Sequence, residues 1–170
     1  MNWPTYRTVL FLGVLLTLSA LSSTAQTLPS SEAQSVAGEK LVLATALHGQ
    51  NFLLIMSFSR EAGPGSDAWA SALAADPVLH GIPVYRAAML EAAPGFVRAL
   101  IRSSLRHQLP PAEQSRYLIF SRDEKLWRDF LHLAADKQPV VALIGADGKM
   151  RWRGQGSTTE LLPQLKAALR

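Results

Sequence analysis

The chain has 170 residues, with 17 Lys+Arg against 13 Asp+Glu, and it contains no cysteine. The absence of cysteine excludes disulfides, thiol nucleophiles and thiolate metal sites. The modest positive excess is too small to argue for a nucleic-acid surface, which needs a concentrated basic face; it fits weak attraction to an anionic membrane surface, and ordinary solubility accounts for it equally well.

A positive amino terminus and Arg7 precede an apolar run from Val9 to Leu21, and Ser23-Thr24-Ala25 puts small residues where a signal peptidase cuts. Residues 1–25 therefore read as an export signal removed before Gln26, giving a periplasmic or secreted protein, with an uncleaved membrane anchor as the rival reading. The apolar run is shorter than the roughly 20 residues a spanning helix needs. What remains, about 145 residues, is long enough to bury one core without staples. Residues 26–38 are small and polar and read as a flexible linker. The folded domain is expected over 39–170.

Leu41 to Leu47 is a candidate edge strand, followed by a turn at His48-Gly49-Gln50-Asn51. Phe52 to Phe58 is a continuous apolar run, as a central strand covered on both faces requires. A Gly- and Pro-rich loop from Arg60 to Gly65 leads to Ser66, which is placed to cap a helix with Asp67 in its first turn. Trp69 and Leu73 share one side of that helix, and Asp76-Pro77 ends it. Ile82 to Leu90 reads as a second central strand. Pro94 opens a helix through Leu105, with Val97, Leu100, Ile101 and Leu105 inward and Arg98, Arg102 and Arg106 outward. Arg116 to Phe120 is the third central run. Ser121 and Glu124 match a capping box for a helix that buries Leu126, Trp127, Phe130 and Leu131. Val140–Ile144 and Met150–Arg153 flank Ala146-Asp147-Gly148-Lys149, a hairpin signal. The last helix lines up Leu161, Leu162, Leu165 and Leu169.

Strand, helix, strand with right-handed crossovers makes the early half parallel, and the closing hairpin adds antiparallel strands. Over roughly Leu41 to Arg170 this order resembles the thioredoxin superfamily. The resemblance implies an α/β, thioredoxin-like three-layer sandwich: a mixed sheet with helices on both faces and a C-terminal β-hairpin plus helix. It places the segment Phe58-Ser59-Arg60-Glu61-Ala62-Gly63-Pro64-Gly65-Ser66 where redox relatives carry Cys-x-x-Cys. It aligns Pro139 with the family's conserved cis-proline, implying a cis bond at Gln138–Pro139. Within the superfamily the chain is similar to the mitochondrial ATP synthase assembly factors that escort the proton-channel subunit, and to their bacterial relatives. Ser57-Phe58-Ser59 before the helix with Trp69 carries that likeness. So do the Arg98, Arg102, Arg106 helix and Asp147-Gly148-Lys149-Met150-Arg151-Trp152 leading to Gly154-Gln155-Gly156 and Glu160.

Other chemistries find little support. His48, His80, His107 and His132 are scattered, whereas zinc needs converging ligands. No G-x-S-x-G elbow is present. Glu61 and Asp67 flank the cysteine-free loop, but sequence supplies no paired geometry for them. Gly154-Gln155-Gly156 lacks the further elements of a phosphate loop and reads as a strand-to-helix joint. Trp152 reads as core. The expectation is therefore a domain without catalytic residues, cofactor or metal, binding a protein partner as an assembly factor or chaperone. A subunit of a membrane complex is one candidate. The expected partner surface is Ser59, Arg60, Glu61 and Pro64 with Pro139, beside an arginine stripe of Arg98, Arg102 and Arg106. An enzyme with a non-thiol, peroxiredoxin-like remnant site and a structural envelope protein are the alternatives.

Overall fold

The computed structural model of the protein describes residues 27–169. The export signal expected over 1–25 lies outside the described residues. No helix among the described residues is long and apolar enough to cross a membrane.

A single sheet of seven strands organises the molecule, in the order β2-β1-β5-β4-β3-β6-β7. The strands are β1 (Glu32–Ser35), β2 (Lys40–Val42), β3 (Phe52–Ser57), β4 (Val84–Met89), β5 (Tyr117–Phe120), β6 (Val140–Ile144) and β7 (Met150–Gln155). The helices are α1 (Leu43–Ala46), α2 (Gly63–Ala75), α3 (Gly95–Gln108), α4 (Pro111–Gln114), α5 (Glu124–Phe130) and α6 (Thr158–Ala168), with a 3₁₀ turn at Pro77–Leu79. As the crossover argument requires, β3, β4 and β5 are parallel. β6 runs antiparallel to β3, and β7 antiparallel to β6.

Strand alternation divides the core into two layers. Phe52, Leu54 and Met56 of β3 face a layer completed by Leu43, Trp127, Phe130 and Leu131. Leu53 and Ile55 of the same strand face Trp69, Leu73 and Leu165. Every residue of β3 and of β6 is buried, which is why both read as unbroken apolar runs. Helices therefore cover both faces, and the architecture is the mixed α/β sandwich that the element order implied.

Five local expectations are corrected. The segment read as a linker contains β1, which pairs with β2 and with β5. Leu28 is also buried, and its amide donates to the Gly148 carbonyl at 2.9 Å. Small, polar residues form this strand because β5 offers an open edge with unpaired backbone groups, so pairing overrides composition. The run Leu41 to Leu47 is divided between β2 and α1, not one strand. α2 begins at Gly63 with Pro64 in its first turn, and Ser66 is buried inside the helix, not a cap. This is the position where the missing N–H of proline is harmless. The Ser121–Glu124 capping box does not form. Asp123 is the N-cap, with φ of 66° and its carboxylate accepting from Ser31, while the Glu124 amide donates to Glu91. Finally, Leu126 is 54% exposed, because α5 turns Trp127 and Phe130 inward.

Candidate functional site

The loop between β3 and α2 sits at the carboxyl end of a central parallel strand, where open α/β sheets commonly place their sites. Phe58 turns into the core, and the Arg128 guanidinium lies 5.1 Å from its ring centroid. Arg128 is itself held by Glu124 at 2.6 Å and faces Asp136 at 3.8 Å. Ser59 then leaves the strand. Its hydroxyl donates to the Asp136 carbonyl at 2.8 Å and also lies within reach of the Glu61 carboxylate. The turn closes through the Gly63 amide on the Arg60 carbonyl at 3.1 Å, and Ser66 on Ala62 at 2.9 Å starts the helix.

Pro139 lies beneath this loop, not beside it. Its ring is buried and packs on the backbone at Gly65, where an added Cβ would come to 2.8 Å from Cδ of the proline. The structure thus brings Ser59 and Pro139 into one assembly with Gly65 and leaves Arg60, Glu61 and Pro64 exposed on it. Two expectations fail at this point. The Gln138–Pro139 bond is trans, as are all the described peptide bonds. Pro139 also offers no open surface to a partner, because glycine at position 65 lets α2 approach the ring closely.

The connector from Leu131 to Gln138 is fastened by side chains that sequence reasoning did not single out for this task. Arg153 donates to the carbonyls of Leu131 and His132 at 2.9 and 3.1 Å and to the Gln155 side chain at 3.0 Å. Gln155 in turn donates to the carbonyls of Ala135 and Gln138. Partial burial lowers the pKa of Arg153. Trp69 ties α2 to the strand-to-helix joint, its indole N–H donating to the Gly156 carbonyl at 3.0 Å. Five carbonyls of the connector are thus held from β7 and from the loop, so the exposed rim rests on a fastened base. The only available signal for these roles was the placement of Arg153 and Gln155 at the end of a strand facing a long, irregular connection.

Glu61 is held below the ordinary carboxylate range, first by its own backbone amide and then by the Ser59 hydroxyl. It is therefore an ionised acceptor at neutral pH and not a base poised to exchange protons there. Asp67 points elsewhere, to Arg86 of β4. His48, His80, His107 and His132 are all exposed and lie on four separate segments.

The arginine stripe is half-buried at Arg98 and Arg102 and exposed at Arg106, and all three side chains are engaged by the domain itself. Arg98 donates to the Ala93 carbonyl at 2.6 Å, Arg102 to the Gln34 side chain, and Arg106 to the Val36 carbonyl at 3.1 and 2.8 Å. Arg102 and Arg106 dock α3 onto the β1 segment, Arg98 bonds the turn just ahead of its own helix, and none of the three carries a hydrogen bond to the loop among the described residues. The side expected to be inward is only partly covered: Leu100 is 68% exposed, with Phe96 at 76% beside it.

Comparison with known proteins bears on the fold. No family model matches the chain, and no curated protein matches it. Solved structures do. The pneumococcal exposed lipoprotein thioredoxin from Streptococcus pneumoniae strain TIGR4 superposes with a TM-score of 0.53 at 15% identity, covering 80% of this chain and 97% of that one. A SCO1/SenC family lipoprotein from Bacillus anthracis strain Ames gives 0.56 at 10% identity, with 86% and 97% covered. BsSco, a member of the Sco family of cytochrome c oxidase assembly proteins, gives 0.53 at 13% identity, with 85% and 94% covered. Some of the similar structures are therefore lipoproteins. At these identities the likeness extends to architecture alone, and the architecture is thioredoxin-like.

Proposed function

We propose that the protein is an exported, non-redox thioredoxin-like domain that binds a protein partner through the loop after β3, acting as an assembly factor or chaperone. The observation that carries this reading is the composition of the loop on its base. The position that holds the redox thiols in thioredoxins carries Ser59 and Gly63-Pro64 in a chain without cysteine. The polar groups beneath are already matched, from Ser59 to Asp136 and from Arg153 and Gln155 to the connector. Arg60, Glu61 and Pro64 remain as an exposed, charged rim on a rigid support, which suits recognition. One similar structure, BsSco, belongs to a family of assembly proteins, which supports an assembly role within the same fold.

The corrected geometry moves the proposed surface. Pro139 and the three arginines of α3 serve the domain internally, so the contact falls on Arg60, Glu61 and Pro64 with neighbouring Lys137 and Gln138. The test is site-specific photo-crosslinking in membranes and envelope fractions, with a photoreactive residue at position 60 or 64 of the full chain and at Thr45 as an exposed control. A discrete adduct from 60 and 64 but not from 45 is expected. The same adduct from all three positions, or none from the loop, overturns the assignment.

A further inference from the structure

The α2 face of the sheet is incompletely covered. Between α2, the turn after Leu79, β4 and α4 lies a cavity of about 490 Å³, a size within the roughly 300–1,000 Å³ range of small-molecule sites. Its floor is apolar, formed by Leu73, Leu79, Ile82, Val84 and Tyr117. One charged side chain stands in that floor. Arg86 is central in β4, opposite Ile55 on one side and Tyr117 on the other, on a half-buried strand whose neighbouring residue on the same face is the aliphatic Val84.

The Arg86 side chain is 14% exposed, and its nitrogens are incompletely matched. Nη2 pairs with Asp67, and the guanidinium carbon lies 4.8 Å from the Tyr117 ring centroid. Nε is buried without a partner. Nη1 has no hydrogen-bond partner among the described residues and, unlike Nε, is not sealed from solvent. A largely buried guanidinium whose one counter-ion is mostly exposed is poor structural design, because an aliphatic residue would pack there without the desolvation penalty. Departures of this kind concentrate where a side chain has something to bind. The Asp67 side chain is 70% exposed, so its release to water is inexpensive. The lining also carries Glu113 and Arg116, which balance in charge without forming an ion pair.

We propose that this cavity binds a small amphipathic monocarboxylate. Its carboxylate takes the place of Asp67 on Arg86, reaching Nη1 as well, and its apolar tail lies over Leu73, Leu79, Ile82 and Val84. Exchanging one carboxylate for another preserves the charge balance at Arg86, and the net gain comes from burying the tail. A cationic amphiphile would set its charge against the guanidinium. A neutral one would leave Asp67 where it is.

The test is calorimetric titration of the purified full chain with octanoate, and with octanol and octylamine as matched probes. Octanoate is expected to bind saturably at one site, at least about tenfold more tightly than either control. R86M should weaken octanoate at least about tenfold, and D67N, which frees the guanidinium, should tighten it about threefold or more. A74W, from an exposed position lining the cavity, should block binding while leaving Arg86 untouched. If R86M does not fold, D67N and A74W decide the matter. Absence of saturable octanoate binding, equal binding of octanol or octylamine, weaker binding by D67N, or unchanged binding by R86M or A74W overturns the proposal.

Discussion

Gly65→Ala is the change that most directly probes how the loop is seated. Gly65 lies in the first turn of α2 with ordinary helical backbone, so propensity alone favours alanine by about 0.5–1 kcal/mol. Packing opposes it. The new Cβ would stand 2.8 Å from Cδ and 3.3 Å from Cγ of Pro139. Neither side can easily retreat: the proline ring is rigid and buried at the entrance to β6, and α2 is anchored through Trp69 to Gly156. Over-packing of this kind costs about 1–3 kcal/mol. The net expectation is a loss of about 1–2 kcal/mol, lowering the melting temperature by about 3–8 °C for a domain of this size. Thermal and urea unfolding of wild type, G65A, P139A and the double variant would measure it. With the ring removed, G65A should become neutral or stabilising, giving a coupling of about 1–2 kcal/mol. A higher melting temperature for G65A, or an equal loss in the P139A background, would refute the packing argument.

Three further outcomes are expected. Trp127 is fully buried between Phe120 and Phe130, with its indole N–H unpartnered. W127F should therefore cost only about 1 kcal/mol in urea unfolding against about 3–5 for W127A, and equal costs would show that the orphan donor carries no penalty. Lys166 holds Asp76 at 2.9 Å and, as the largest influence, lowers the aspartate's pKa from its ordinary 3.8. A depressed folded-state value gives stability that is present above the unfolded value and lost as pH falls through the folded one. K166M should thus narrow the acid-induced drop in melting temperature below about pH 4, whereas an unchanged acid limb would mean the pair is inert. R106M should free the end of α3 from Val36 and raise amide exchange across Gly95–Gln108 while lowering global stability by about 1 kcal/mol. Unchanged exchange there would show that the helix is held by other contacts.

The parts of the fold that were legible are those in which local pattern and tertiary role coincide. β3, β5 and β6 are predominantly apolar because they are central and largely buried, and Asp147-Gly148 marks a hairpin because its glycine takes φ of 73°. The misreadings arise where distant groups override the local signal. Ser121 and Glu124 have the right spacing for a capping box, yet Asp123 is fixed by Ser31, a residue 92 positions away. β1 has little strand propensity and exists because β5 would otherwise expose an edge. For the candidate site, the loop and its lack of thiols were readable. The fastening of residues 131–138 by Arg153 and Gln155 was not, since nothing in a strand's own sequence reveals which carbonyls will lie opposite.

The arginine stripe shows how far periodicity can carry an inference and where it stops. Spacing of four residues places Arg98, Arg102 and Arg106 on one side of a helix, and they do share one side. Periodicity gives no absolute orientation, so the usual rule that charge faces water supplied it. Here acceptors on the domain engage charges that the rule left to water. Gln34 lies in β1, the strand that composition failed to announce, and Val36 directly follows it. The missed edge strand accounts for two of these contacts: without β1 there was nothing for Arg102 and Arg106 to bind. The consequence for function is concrete. Arg102 and Arg106 are engaged by the domain's own β1 segment, and among the described residues the buried cationic nitrogen without a partner is Nε of Arg86, in a strand where no helical stripe would have pointed.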